Sequence, residues 1–184
     1  DWGSYNSFWE KKNLNSFDNQ SKLDSMAINL NLELTDHCNI KCKMCSQSMR
    51  DEAHGVPMRF MSWDTWRNSL ANLLQFPEEI HLCPHWLGEP TLHPHFDQFI
   101  EYAFATNHQN RLFRKFKLHT NGVILAETRA KLLVNLAGLN NQKNDTFHFL
   151  HFSIDAHTPD TYKEVKGADH GVRVYKNVLR FLEI

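Results

Sequence analysis

Residues 27–45 read AINLNLELTDHCNIKCKMC, an apolar run with strand character that passes directly into a loop carrying Cys38, Cys42 and Cys45. The strand is expected at 27–34. Further along, runs of the same kind recur at 79–83, 116–120 and 147–154, each followed by residues with helical spacing. The first helix is expected over 62–76, where Trp66, Leu70, Leu73 and Leu74 share one face and Ser62 is a fair N-cap. Others are expected over 96–105 and 127–136, in a short stretch after Pro159, and over 172–182. Strand and helix in alternation predict an α/β fold, a parallel sheet of about four βα units with outer helices.

Residues 27–184 form one domain in this reading. Residues 1–26, rich in Asn, Ser and Lys with aromatics at Trp2, Tyr5, Phe8 and Trp9, form an irregular lead-in. A chain of 184 residues, 41% hydrophobic, can bury one ordinary core. Its formal charge of -1 argues against a protein that coats nucleic acid or an anionic membrane. No apolar run approaches the roughly 20 residues of a spanning helix, and the N-terminus is not signal-like, so a cytoplasmic protein is expected. No Gly-x-Gly-x-x-Gly follows a strand, and neither a phosphate-binding P-loop nor a Gly-x-Ser-x-Gly elbow occurs, which removes the main support for dehydrogenase, nucleotidase and hydrolase readings.

In such folds chemistry gathers where strand-to-helix loops converge at the C-terminal ends of the strands. Four polar clusters fall at that rim: the cysteine loop, Gly88-Glu89-Pro90, Thr120-Asn121-Gly122 and Ser153-Ile154-Asp155. Three thiolates spaced Cys-x3-Cys-x2-Cys suit a soft metal centre. A four-iron cluster normally takes four cysteines, so three leave one iron open to another molecule. A zinc knuckle completed by His37, His81, His85, His93 or His95 would use the same cysteines.

The run Cys38-Asn39-Ile40-Lys41-Cys42-Lys43-Met44-Cys45 after a strand, with the three later motifs in order, resembles the radical S-adenosylmethionine (radical SAM) superfamily over about residues 27–184. The resemblance implies a partial (β/α)6 TIM-like barrel. It implies an enzyme that reductively cleaves S-adenosylmethionine at a 4Fe-4S cluster, giving a 5'-deoxyadenosyl radical for hydrogen abstraction from a peptide or small-molecule substrate. An external electron donor such as flavodoxin or ferredoxin would be its partner. Position by position, Cys38, Cys42 and Cys45 would bind three irons. Met44 stands where the family usually has an aromatic near the adenine. Gly88, Glu89 and Pro90 would face the methionine amino group, and Thr120, Asn121, Ser153 and Asp155 would line the ribose and carboxylate side. The other reading, a non-catalytic zinc-binding or interaction module, uses the same cysteines.

Cys83 is read as a buried strand cysteine acting as a small hydrophobe. The remaining histidines are left unassigned, His85 alone being placed near the active rim, and Arg50, Arg59 and Arg114 are read as ordinary surface cations. The resemblance implies a six-unit core, of which four units fit here. The chain, which starts at Asp1, is therefore expected to be part of a longer enzyme or a minimal member that covers its edge by association.

Overall fold

Side chains along β1 (Ile28–Asn31) alternate between two environments. Leu30, and Leu32 and Leu34 beyond it, pack into the main core, while Asn29 and Asn31 are exposed on the opposite face. The same two-residue period runs through the sheet. The computed structural model describes residues 27–49, 57, 59–75, 79–144 and 147–184. The lead-in at 1–26, Arg50 and Phe76 lie outside them.

After β1 come α1 (Trp63–Leu73), β2 (Ile80–Cys83), a 3-10 turn at Pro90–Leu92 and α2 (Phe96–Asn110). The chain continues through β3 (Lys115–Thr120), α3 (Glu127–Asn144), β4 (Phe147–Phe152), α4 (Pro159–Lys166) and α5 (Gly171–Leu182). The strands form a parallel sheet in the order β1-β2-β3-β4. Each return to the next strand passes through a helix, as parallel pairing requires. Among the described residues no helix is long and apolar enough to cross a membrane.

The core lies between one face of the sheet and the helices. Trp66, Phe96, Phe99, Ile100, Leu82 and Leu118 are essentially inaccessible, and Trp66 donates its indole N–H to the Phe99 carbonyl at 2.9 Å. Ser62 caps α1, its hydroxyl accepting from the Thr65 N–H at 3.1 Å. Trp66, Leu70 and Leu73 are buried as expected, but Leu74 is 57% exposed. The helix ends at Leu73, and one further residue turns about 100° away from the inward row.

Other boundaries also differ from expectation. The first strand is shorter than 27–34, although Leu32 and Leu34 still donate to the carbonyls of Cys83 and Pro84. The fourth strand ends at Phe152, where Ser153 N–H bonds to Thr120 O and Asp155 takes φ 54. Helices α2 and α3 run five and eight residues beyond the expected ends, α2 because no Gly or Pro stops it at 105, and α3 straight through Gly138.

Candidate cofactor site

The cysteine loop is held from three sides. At its base, Arg59 donates to both carboxylate oxygens of Asp36, from its backbone N–H at 2.8 Å and its Nε at 2.9 Å. The Thr35 hydroxyl donates to Arg59 O at 2.8 Å, so Arg59 is a loop anchor and not an idle surface cation. On the second side, Glu89 N–H bonds to His37 O at 2.7 Å. A Cβ on Gly88 would lie 1.9 Å from Thr35 O, which is why this close approach takes glycine. On the third side, Lys43 N–H bonds to Val165 O at 3.0 Å, and Gly167, at φ 66, caps α4 against the Lys41 carbonyl.

Beneath the loop lies a small apolar bed of Ile40, Val123, Tyr162 and Val174, against which Cys38 and Cys42 pack. Burial pushes the Cys38 thiol up to about 11 and also raises Cys42. The apo site therefore favours thiols over thiolates, and binding of a metal would have to expel the protons. Lys166 works the other way on Cys42. Its side chain is 3% exposed and its ammonium donates to Asp155 Oδ2.

Glu89 is a buried carboxylate. It is 3% exposed, and Oε1 accepts from Thr91 N–H at 3.2 Å, the Thr91 hydroxyl at 2.5 Å and the Thr120 hydroxyl at 2.8 Å. Oε2 accepts from Asn121 N–H at 2.6 Å. Burial raises its pKa against these four donors. Glu89 thus locks the β2 loop to the end of β3. The Asn121 amide in turn donates to Asn39 Oδ1 at 2.7 Å and approaches Cys38 Sγ at 3.8 Å. Arg129 secures the 3-10 turn behind, donating to Thr91 O at 3.0 Å and to Asp97 at 2.6 Å.

These elements enclose a pocket of about 290 Å³. Cys38, Cys42 and Cys45 line it with Met44, and so do Gly88 and Glu89 from the second rim. Thr120, Asn121, Ser153 and Asp155 complete the far side. Pro90 stands behind the wall, buried as the first residue of its 3-10 turn, and does not line the pocket.

Sequence reasoning missed Lys166, Tyr162 and Glu33. Glu33 accepts the amides of Leu87 and Gly88 at 2.6 and 2.7 Å, and only the period-two alternation of β1 hinted that it lies on the face opposite the core. Tyr162 is fully buried with a hydroxyl that finds no partner, and its pKa is pushed to about 12, first by burial and then by Cys42 and Cys38. One of the unassigned histidines also finds a place. His93 is a structural donor to Met61 O at 3.0 Å, its other nitrogen accepting from His95 N–H. Cys83 is buried at the end of β2.

The donor set fits a sulfur-rich cluster. Three free thiols share one pocket, and a buried hydroxyl beside two of them lacks an acceptor. One tetrahedral zinc would need sulfurs about 3.8 Å apart, from a Zn–S bond of about 2.3 Å. Among the described residues no three His, Cys, Asp or Glu are gathered closely enough to hold a single ion.

The Radical SAM superfamily profile matches residues 32–183. Over 107 residues the chain is 30% identical to the tungsten-containing aldehyde ferredoxin oxidoreductase cofactor-modifying protein of Pyrococcus furiosus, covering 58% of this chain and 27% of that protein. Over 154 residues it is 27% identical to a probable GTP 3',8-cyclase of Methanococcus maripaludis, covering 83% and 45%. The chain thus spans less than half the length of these relatives. Among solved structures, BtrN in complex with AdoMet and 2-DOIA superposes with a TM-score of 0.51 at 20% identity, over 71% of this chain and 58% of that one, a likeness of fold.

Proposed function

We propose, from the premise that this chain belongs to the radical S-adenosylmethionine superfamily, that it carries the catalytic core of an enzyme that reductively cleaves S-adenosylmethionine at a 4Fe-4S cluster. The observation that carries this reading is the single pocket that gathers all three loop cysteines with residues from the other three strand ends. Cys38, Cys42 and Cys45 would each ligate one iron. The chemistry supplied by the bound cofactors is one-electron cleavage of the sulfonium C–S bond, with hydrogen abstraction from the substrate by the resulting 5'-deoxyadenosyl radical.

The chain's own residues bind, orient and exclude water. Gly88 lets the second loop approach the cysteine loop closely enough for its carbonyls to face an ammonium group. Glu89 sets the position of Asn121 and Thr120 through its buried carboxylate. Met44, 59% exposed at the mouth, offers a soft apolar surface for the adenine. Ser153 and Asp155 supply polar partners on the ribose side, and Lys166 places a buried cation beside the pocket where a carboxylate would be neutralised. Tyr162 offers its unpartnered hydroxyl to sulfur beneath the loop.

The substrate is a peptide or small molecule. The names of the two relatives, a cofactor-modifying protein and a GTP cyclase, favour the small molecule. A flavodoxin or ferredoxin would deliver the electron. Metal analysis after anaerobic purification tests the reading against the zinc module. Iron with acid-labile sulfide supports the enzyme, and one zinc without sulfide overturns it.

A further inference from the structure

The sheet face turned away from the helices is polar, which is unusual for parallel strands, normally apolar on both sides. It bears Asn29 and Asn31 from β1, Lys117 and His119 from β3, and Phe149 and His151 from β4. His85, just beyond β2, joins them and also lines the cofactor pocket. At the level of that pocket three imidazoles from neighbouring strands form a stacked row. His85 and His119 lie 5.2 Å apart at 3° between planes, and His119 and His151 lie 4.9 Å apart at 25°. Phe149 flanks the row, 5.8 Å from His119.

Stacking occupies the faces of these rings, so their nitrogens are presented at the edges. Rings arranged face to face do not converge on a metal ion. Lys117, one layer down the same strand face, meets the neutral oxygen of Asn29 at 2.5 Å. The acid at this level, Glu33, already accepts two backbone amides at the rim. Among the described residues this face offers Lys117 and imidazole donors, while the acids near it are already engaged, Glu33 at the rim and Glu79 by His81 at 2.8 Å. Burial, and then the neighbouring imidazoles, push His85 down to about 4 and lower His119 as well, so these two rings favour the neutral form, which a bound anion would oppose.

We propose that the row of His85, His119 and His151, with Lys117 below it, binds an oxyanion group of the substrate, a phosphate or a carboxylate, beside the cofactor pocket. This rests on reading that pocket as the S-adenosylmethionine site. An oxyanion held here would fix one end of the substrate on the sheet face and direct a neighbouring carbon toward the pocket.

The test is calorimetric titration of the reconstituted full chain with inorganic phosphate and, separately, with acetate. At least one should bind saturably, and the tighter of the two identifies a phosphoryl or a carboxylate substrate. Lys117→Met and His119→Gln should each weaken that binding about tenfold, the loss of one charge-assisted contact. Lys131→Met, on the exposed side of α3, should leave it unchanged, and melting curves should show all three variants folded. Absence of saturable binding by either anion, or unchanged binding in both sheet-face variants, overturns the proposal. Cleavage of S-adenosylmethionine by the same preparation is scored separately. Cleavage without anion binding removes only this proposal, whereas anion binding without cleavage removes the reading of the pocket.

Discussion

Replacing Gly88 by alanine tests how tightly the second loop is pressed onto the cysteine loop. The added Cβ would meet Thr35 O at 1.9 Å, with Thr35 C at 2.8 Å and His37 O at 2.9 Å, all of them backbone atoms. Reaching even 3.0 Å from Thr35 O requires the two loops to part by about 1.1 Å. That opening stretches the 2.7 Å bond from Glu89 N–H to His37 O beyond hydrogen-bonding length. It also strains the amides of Leu87 and Gly88 on Glu33. Losing two to three such bonds at about 1 kcal/mol each gives roughly 3 kcal/mol of destabilisation. For a domain of this size that lowers the melting temperature by about 6–12 °C. Thermal unfolding of the metal-free chain by circular dichroism reads this without any cofactor. A variant melting within about 2 °C of the parent would refute the close-approach argument, because the clash is too severe to relax at that cost.

Three further outcomes follow from the same geometry. Lys166→Met removes the cation that opposes burial at Cys42, so Cys42 should be alkylated more slowly at mildly alkaline pH, as mass spectrometry of the modified peptide would show; an unchanged rate would separate Lys166 from the cysteine. Tyr162→Phe removes a buried hydroxyl without a partner, so the metal-free chain should keep or gain stability by up to about 1 kcal/mol. The potential of the loaded cluster should fall by about 40 mV, the one-electron equivalent of a lost hydrogen bond of that size, and equal potentials would deny Tyr162 its role. Burial against the Phe104 ring, 5.0 Å away, holds His148 down to about 4, below the ordinary 6.5. Its native form resists a proton that the unfolded chain accepts, so the stability it confers is present above pH 6.5 and lost as pH falls through about 4. His148→Phe should flatten the decline in melting temperature over that window, and an unchanged slope would assign the decline to other groups.

Much of the fold is written in local patterns. Trp66, Leu70 and Leu73 announce the buried face of α1 because their spacing belongs to the helix alone, and Ser62 announces its start. Leu74 misleads because hydrophobicity says nothing of where the last turn ends. The pocket residues were legible because they sit at strand ends, where βα topology brings them together whatever their sequence separation. The histidine row was not, since it needs the lateral register of three strands. His119 faces His151 through the pairing of β3 with β4, and no periodicity within one segment states that. Lys166 and Tyr162 were hidden for a similar reason. They belong to α4, and only its docking onto the cysteine loop through Gly167 and Val165 turns them toward Cys42.

The most direct measurement is anaerobic reduction of the reconstituted chain with S-adenosylmethionine present, followed by quantitation of 5'-deoxyadenosine and methionine. Cleavage at this pocket would give both products in equal amounts from protein holding about four irons and four sulfides per chain, with none from Cys42→Ala. A fully loaded, reducible cluster that leaves S-adenosylmethionine intact would contradict it.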